Sequence, residues 1–308
     1  MTHTPSTFKI TIVGAGNVGA TAAYAMLLEG LATDLTLIDV ARERAEGVVT
    51  DLTHSLAFTA YTKLIGTDDP HAAKDSDVIF ITAGARQKPG QTRLDLISTN
   101  KKIVDEIIPP LTQVAPGAII VLVTNPVDVL THEALKRSGF PKERVFGSGT
   151  ILDTARLRFH LSEALAVHPS SIHAMVLGEH GDTSFPVWSS AAVSGKSIFE
   201  FDGFGQKIAD ECYEKTRTAA YRIVHDVGYT CYSIATAMLE IAKSIREDSH
   251  RVLMLSTMLE DYYGHSDVCV SIPCVLARGG IVQTLTVPLS KAEQDKLALS
   301  VTTLKKVQ

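Results

Sequence analysis

The chain has 308 residues, of which 45% are hydrophobic and 20% charged, with a formal net charge of −5. That is enough chain for one large α/β unit or two modest domains, and too apolar to stay disordered. The weak negative charge, without any basic block, argues against nucleic acid or an anionic membrane as partner. In chain order, residues 8–13 read as a strand, 18–30 as a helix opening inside a glycine loop, and 35–40 as a second strand. A helix over 41–57 follows, then strands at 61–66 and 78–83, a long helix over 92–114 and a strand at 118–124. Strands alternating with helices imply parallel pairing through right-handed crossovers, and Val/Ile/Leu-rich runs without alternation imply helices on both sheet faces.

After Asn125 the pattern changes. Helices are expected at 127–138 and 150–167, with short apolar runs at 144–146, 172–177 and 186–193. Two more helices, 205–226 and 230–247, precede strand-like runs at 252–258, 268–276 and 281–287. A last helix is opened by the capping-box pair Ser290 and Glu293, with Leu297, Val301 and Leu304 as its apolar stripe. The expectation is an α/β protein: a Rossmann-type parallel-sheet domain over residues 1–147, then a mixed α+β catalytic domain over 148–308. The longest apolar run, Ala118 to Val123, falls far short of the ~20 residues a spanning helix needs. The opening MTHTPSTFKI lacks the charged-then-apolar pattern of a secretory signal. Cys212, Cys231, Cys269 and Cys274 form no CxxC pair, so reduced thiols in a cytoplasmic protein are expected, without disulfides or metal.

Between the first strand and first helix stands GAGNVG, with Gly14, Gly16 and Gly19 around Asn17 and Val18. Glycines there permit a tight turn and close backbone approach, and the helix N-terminus offers N–H groups and a positive dipole end to a pyrophosphate. Asp39 ends the second strand about 20 residues past Gly19, where a carboxylate can accept from an adenosine ribose and repel a 2′-phosphate. The unit predicts dinucleotide binding, NAD before NADP, with FAD as the lesser option. The alternative for Asp39 is an ordinary polar strand end.

Reversible hydride transfer to a ketone needs a proton donor titrating near neutrality, which suits histidine. Of the 11 histidines, His180 stands in a glycine-flanked turn, GEHGD, directly after the apolar run at 172–177. Spacing alone does not separate a site residue from a loop residue there. Asp153 and Arg156 lie three apart on one helix face. They form either a surface ion pair or a working pair, with Asp153 orienting the imidazole and Arg156 gripping a carboxylate with its planar fork. The segment GARQKPGQTRLDL at 84–96 follows a strand end and carries Arg86, Lys88 and Arg93. It reads either as a solvated loop or as a lid closing on substrate.

These motifs in order (GAGNVG, Asp39, AGARQKPGQTR, TNPVD, LDTARLR, GEHGDTSFPVW and GYT) resemble the L-lactate and malate dehydrogenase family from about Phe8 to the C-terminal helix. The resemblance implies that His180 is the proton donor and acceptor, paired with Asp153. It implies that Arg156 binds the substrate carboxylate and Arg93 polarises the ketone. Asn125 would contact nicotinamide and substrate, Arg86 the cofactor, and Thr230 the substrate. The bland alternatives are a turn residue before Pro126 for Asn125 and a helix N-terminal threonine for Thr230. Gln87 falls where malate enzymes carry an arginine. A neutral side chain there cannot pair a second carboxylate, so pyruvate is favoured over oxaloacetate; a register slipped by one would put Arg86 there instead. The function so implied is pyruvate–lactate interconversion with NADH. The rivals are a malate or broad 2-hydroxyacid dehydrogenase and a noncatalytic NAD sensor. By the same resemblance, Arg158 and His173 match basic residues that bind fructose 1,6-bisphosphate in some relatives, or else make ordinary surface contacts. The short segment before Phe8 suggests a bacterial-type homotetramer.

Overall fold

The computed structural model describes residues 7–85 and 93–308. The first half comprises β1 Lys9–Val13, α1 Asn17–Leu28, β2 Asp34–Ile38, α2 Arg42–His54, β3 Lys63–Thr67, β4 Val78–Ile81, α3 Arg93–Val114, β5 Ile119–Leu122, α4 Val127–Ser138 and β6 Val145–Gly147. Next come α5 Ile151–Leu165 and five short strands, β7 Ile172–His173, β8 Val176–Leu177, β9 Phe185–Pro186, β10 Ala192–Val193 and β11 Lys196–Ser197. The chain continues through α6 Gln206–Val227, α7 Tyr232–Arg246, β12 Arg251–Met258, β13 Cys269–Ala277, β14 Gly280–Thr284 and α8 Lys291–Lys305.

The order β3-β2-β1-β4-β5-β6 is parallel throughout. Chain direction across the sheet reverses between β1 and β4, which opens a crevice at the carboxyl ends of the strands. Alternate residues of each strand enter different cores. Ile10 and Ile12 meet Ala22, Ala23 and Met26 of α1 and Ile241 and Ala242 of α7. Val13, Ile79, Ile81, Ile120 and Leu122 meet Val104 and Ile108 of α3 and Leu130 of α4. Both faces are thus covered, which explains strands without polar alternation. Each such side chain contributes ~1.5–3 kcal/mol on burial.

The two halves are less separate than the sequence suggests. β12 pairs antiparallel with β6 through Ser256 opposite Gly147, and β13 and β14 continue outward into one nine-stranded sheet. The second half therefore covers what would be an open edge at β6. Gly147 makes the approach feasible, since a Cβ there would lie 2.4 Å from Thr131 Oγ1. Helix α7 also lies beside α1 on the nucleotide-side core.

Local departures have local causes. The first helix stops at Leu28, short of Gly30, which takes φ +57°. The second tightens into a 3₁₀ turn over Ser55–Ala57. The run at 172–177 is two strands: β7 pairs with β10, whereas β8 pairs with β9. The run at 186–193 is likewise broken by a 3₁₀ turn at Trp188–Ser190. The capping box is formed, with the Ser290 N–H donating to Glu293 Oε2 at 2.7 Å, and Leu297, Val301 and Leu304 are buried.

Candidate active site

The glycine loop leaves β1 and enters α1 at the sheet's reversal point. Gly14 has φ +109°, and a Cβ there would meet Ala83 N at 2.6 Å. At Gly19 a Cβ would lie 1.9 Å from Gly14 O, so only glycine lets α1 start this close to the loop. Gly16 differs: a Cβ there would meet nothing within 4 Å. It caps α1 with no side-chain hydrogen bond, and the first turn carries no acidic residue. The unpaired N–H groups and positive dipole end therefore face open space. That space is a cavity of about 760 Å³ lined by Gly14, Gly16, Asn17, Asp39, Arg44 and Thr82 among others. Asp39 accepts from the Ala15 N–H at 2.7 Å and the Ala41 N–H at 2.9 Å, so its carboxylate is fixed at the cavity wall. An apolar-walled trough with an uncapped helix start and a carboxylate fits a dinucleotide. Val18 sits one residue deeper, packed on the main core.

The second site lies where helices from both halves converge. Asp153 stands in the first turn of α5, with Arg156 one turn on. Asp153 Oδ2 meets His180 Nδ1 at 2.6 Å, and Arg156 Nη1 donates to Asp153 Oδ1 at 3.3 Å. His180 follows β8 in the GEHGD turn, where Gly178 takes φ +93° and a Cβ would meet Ser300 Oγ of α8 at 2.5 Å. The His180 N–H donates to Asp128 Oδ2 at 2.7 Å. Asn125, Asp153, Arg156 and His180 line one cavity of about 430 Å³. Burial disfavours imidazolium at His180, but the adjacent Asp153 carboxylate outweighs it, and the pKa rises from 6.5 to about 8. Burial likewise opposes charge on Asp153, yet His180 and Arg156 together hold its carboxyl below the usual range. Asp153 thus fixes a proton on Nδ1 and leaves Nε2 for chemistry.

The structure therefore brings together four of the residues that the sequence singled out. Thr230 is half-buried in the connection between α6 and α7 and does not line the cavity; Ala220 and Tyr221 of α6 do, with Arg217. Arg158 lies elsewhere, lining a cavity of about 240 Å³ with Arg251, and His173 is exposed on β7 outside that lining. Arg86, Gln87 and Lys88, with most of the expected lid, lie outside the described residues, as does the side chain of Arg93.

Sequence reasoning missed Asp128, although it stands inside TNPVD. Its signal was an acidic residue in the first turn of an otherwise apolar helix start. It also missed the buried Asn100 of α3, which accepts from the Ala85 N–H at 2.8 Å and donates to Asn125 O at 2.8 Å. That side chain ties the base of the 84–96 segment to the turn that carries Asn125.

Against known families, residues 8–147 match the lactate/malate dehydrogenase NAD-binding domain and residues 150–308 match the alpha/beta C-terminal domain of the same proteins. The chain belongs to the lactate/malate dehydrogenase family. Its cofactor is NAD. Curated relatives include the L-lactate dehydrogenases of Bifidobacterium animalis subsp. lactis (42% identical, covering 96% of this chain and 95% of that one) and of Lacticaseibacillus casei (42%, 97% and 93%). Among solved structures, a lactate dehydrogenase from a Medee basin deep-sea metagenome library superposes with a TM-score of 0.94 at 35% identity, covering 98% of both chains. The minor L-lactate dehydrogenase of Enterococcus mundtii gives 0.94 at 36%, covering 98% of this chain and 97% of that one.

Proposed function

We propose that the chain interconverts pyruvate and L-lactate with NADH and NAD, with His180 as the acid–base group. The observation that carries the reading is the shared cavity of His180, Asp153 and Arg156, with an imidazole buried on a carboxylate at 2.6 Å. The loop at 14–19, Asp39 and Asn125 would hold NAD, with Arg86 added from the 84–96 segment. When bound, NADH supplies the hydride, which goes to the carbonyl carbon. Arg156 pairs the substrate carboxylate through its fork. His180 gives the Nε2 proton to the ketone oxygen, and Asp153 stabilises the imidazolium before that transfer. In lactate oxidation the neutral imidazole takes the proton back. Arg93 stabilises charge developing on the oxygen, and Gln87 leaves a second carboxylate unpaired. A substrate panel of pyruvate, oxaloacetate and a longer 2-oxo acid with NADH tests the reading. The highest kcat/KM is expected for pyruvate; a preference for oxaloacetate would favour the malate alternative, and NADH binding without turnover the sensor.

We also propose a homotetramer in the cytoplasm. Exposed Tyr24 and Leu28 on α1 and Tyr221, Val224 and Val227 on α6 support self-association, and four free, buried cysteines suit a reducing compartment. Light scattering and cell fractionation test these two points. Fructose 1,6-bisphosphate is the proposed effector at Arg158 and His173. In support, Arg158 and Arg251 line one cavity, with Glu240 beside them. Arg251 is itself paired with Glu240. An unchanged pyruvate affinity on adding the sugar bisphosphate, across several pH values, would remove the effector.

A further inference from the structure

Asp128 is buried, 2% exposed, in the first turn of α4, and both its carboxylate oxygens are engaged. Oδ2 accepts the His180 N–H at 2.7 Å, and Oδ1 accepts the Ser256 hydroxyl of β12 at 2.6 Å. Its backbone carbonyl accepts from Gln308 Nε2 at 3.2 Å, and the same amide holds both backbone groups of Cys269 on β13. One carboxylate thus joins the helix that follows Asn125, the strand that joins the two halves, and the loop that carries the imidazole. A buried carboxylate is costly, and two donors do not repay all of it. Burial indeed pushes the Asp128 carboxyl up to about 6, against the opposing pull of Ser256 and His180. A merely structural tie at this point could be made by a neutral amide at lower cost.

We propose that Asp128 is a positioning residue for His180, fixing the loop through its backbone N–H while holding a second negative charge behind the imidazole. This rests on the reading of His180 as proton donor. The charged groups facing His180 are Asp153 and Asp128, which favour imidazolium, and Arg156, which opposes it. Those facing Asp128 are His180 and Glu179, with the Cys269 thiol also close enough to feel its charge. Asp153 fixes the ring at Nδ1, opposite the reacting Nε2, and Asp128 fixes the main chain, so imidazole orientation has two independent anchors.

The test is Asp128→Asn in the full-length enzyme. The amide keeps an acceptor for the His180 N–H, the Ser256 hydroxyl can turn to accept, and only the charge is lost. The alkaline limb of pyruvate kcat/KM is expected to move down by ~0.5 unit or more, so that kcat/KM changes less than ~2-fold at about pH 7 and falls ~3-fold or more above about pH 8, with NADH affinity within about twofold. A folded variant with the wild-type limb would overturn the proposal, since fold support alone cannot move that limb. A second measurement needs no variant. In enzyme labelled with ¹⁵N-histidine, the His180 backbone amide should titrate in two steps, near 6 as Asp128 ionises and near 8 as its own ring does. Absence of the lower step would also overturn it. Failure of the underlying reading looks different: His180→Ala would keep turnover, or the wild-type limb would be missing.

Discussion

Asp153→Asn probes the His180 pair most directly. Asp153 accepts from His180 Nδ1 on one oxygen and Arg156 on the other, and an amide has only one oxygen. Whichever way the amide turns, one former donor meets another donor. With the charge gone, burial and Arg156 both disfavour imidazolium, and Asp128 alone opposes them. The His180 pKa should drop from about 8 to below 6.5, a change of at least ~1.5 units or ~2 kcal/mol. Pyruvate reduction uses protonated His180, so its kcat/KM is level below the pKa and falls as pH rises through it; lactate oxidation uses the neutral ring and rises over the same window. At about pH 7.5 the protonated fraction falls from roughly three-quarters to under about a tenth, a loss of ~8-fold from titration alone. Lost orientation brings the total to ~10²–10⁴. The assay is the pH profile of kcat/KM in both directions, with NADH affinity as control. An unshifted limb in the variant would refute the pairing.

Arg156→Lys keeps the charge but not the fork, so KM for pyruvate should rise ~10-fold or more with kcat less affected, read by steady-state kinetics. Gln87→Arg should raise kcat/KM for oxaloacetate relative to pyruvate by at least ~10-fold; unchanged selectivity would show that Gln87 does not face substrate. Gly19→Ala drives a Cβ to 1.9 Å from Gly14 O. Parting loop and helix should cost ~1–3 kcal/mol and weaken NADH binding, checked by thermal melting and NADH fluorescence titration.

What was legible followed from short-range physics. β1, α1 and the glycine loop form a local unit, the periodicity of α4 placed that helix at its observed bounds, and the capping pair marked the start of α8. The pairing of His180 with Asp153 was legible only as a resemblance, because the residues stand 27 apart in sequence and no local rule joins them. Asp128 and Asn100 act through contacts formed after folding, and neither side chain breaks the periodicity of its helix. The continuation of the parallel sheet into β12–β14 was also hidden. Strand signals give length and face, but pairing partners depend on which edge remains open.

The site's location follows from that hidden pairing. β6 meets β12 at the Gly147–Ser256 bridge, and Ser256 is the residue that donates to Asp128. The seam between the halves and the anchor of the catalytic loop are therefore the same place. If the halves parted there, Asp128 would exchange both donors for water, a net loss of ~1.5–3 kcal/mol per hydrogen bond to the charged group. Against a total stability of ~5–15 kcal/mol, that contribution favours the joined arrangement at the catalytic end. Arg156 and His180 come from the second half, and Asn125 from the first. Behind their shared cavity a buried carboxylate, set into the sheet junction, ties the half that supplies Asn125 to the half that supplies the other two.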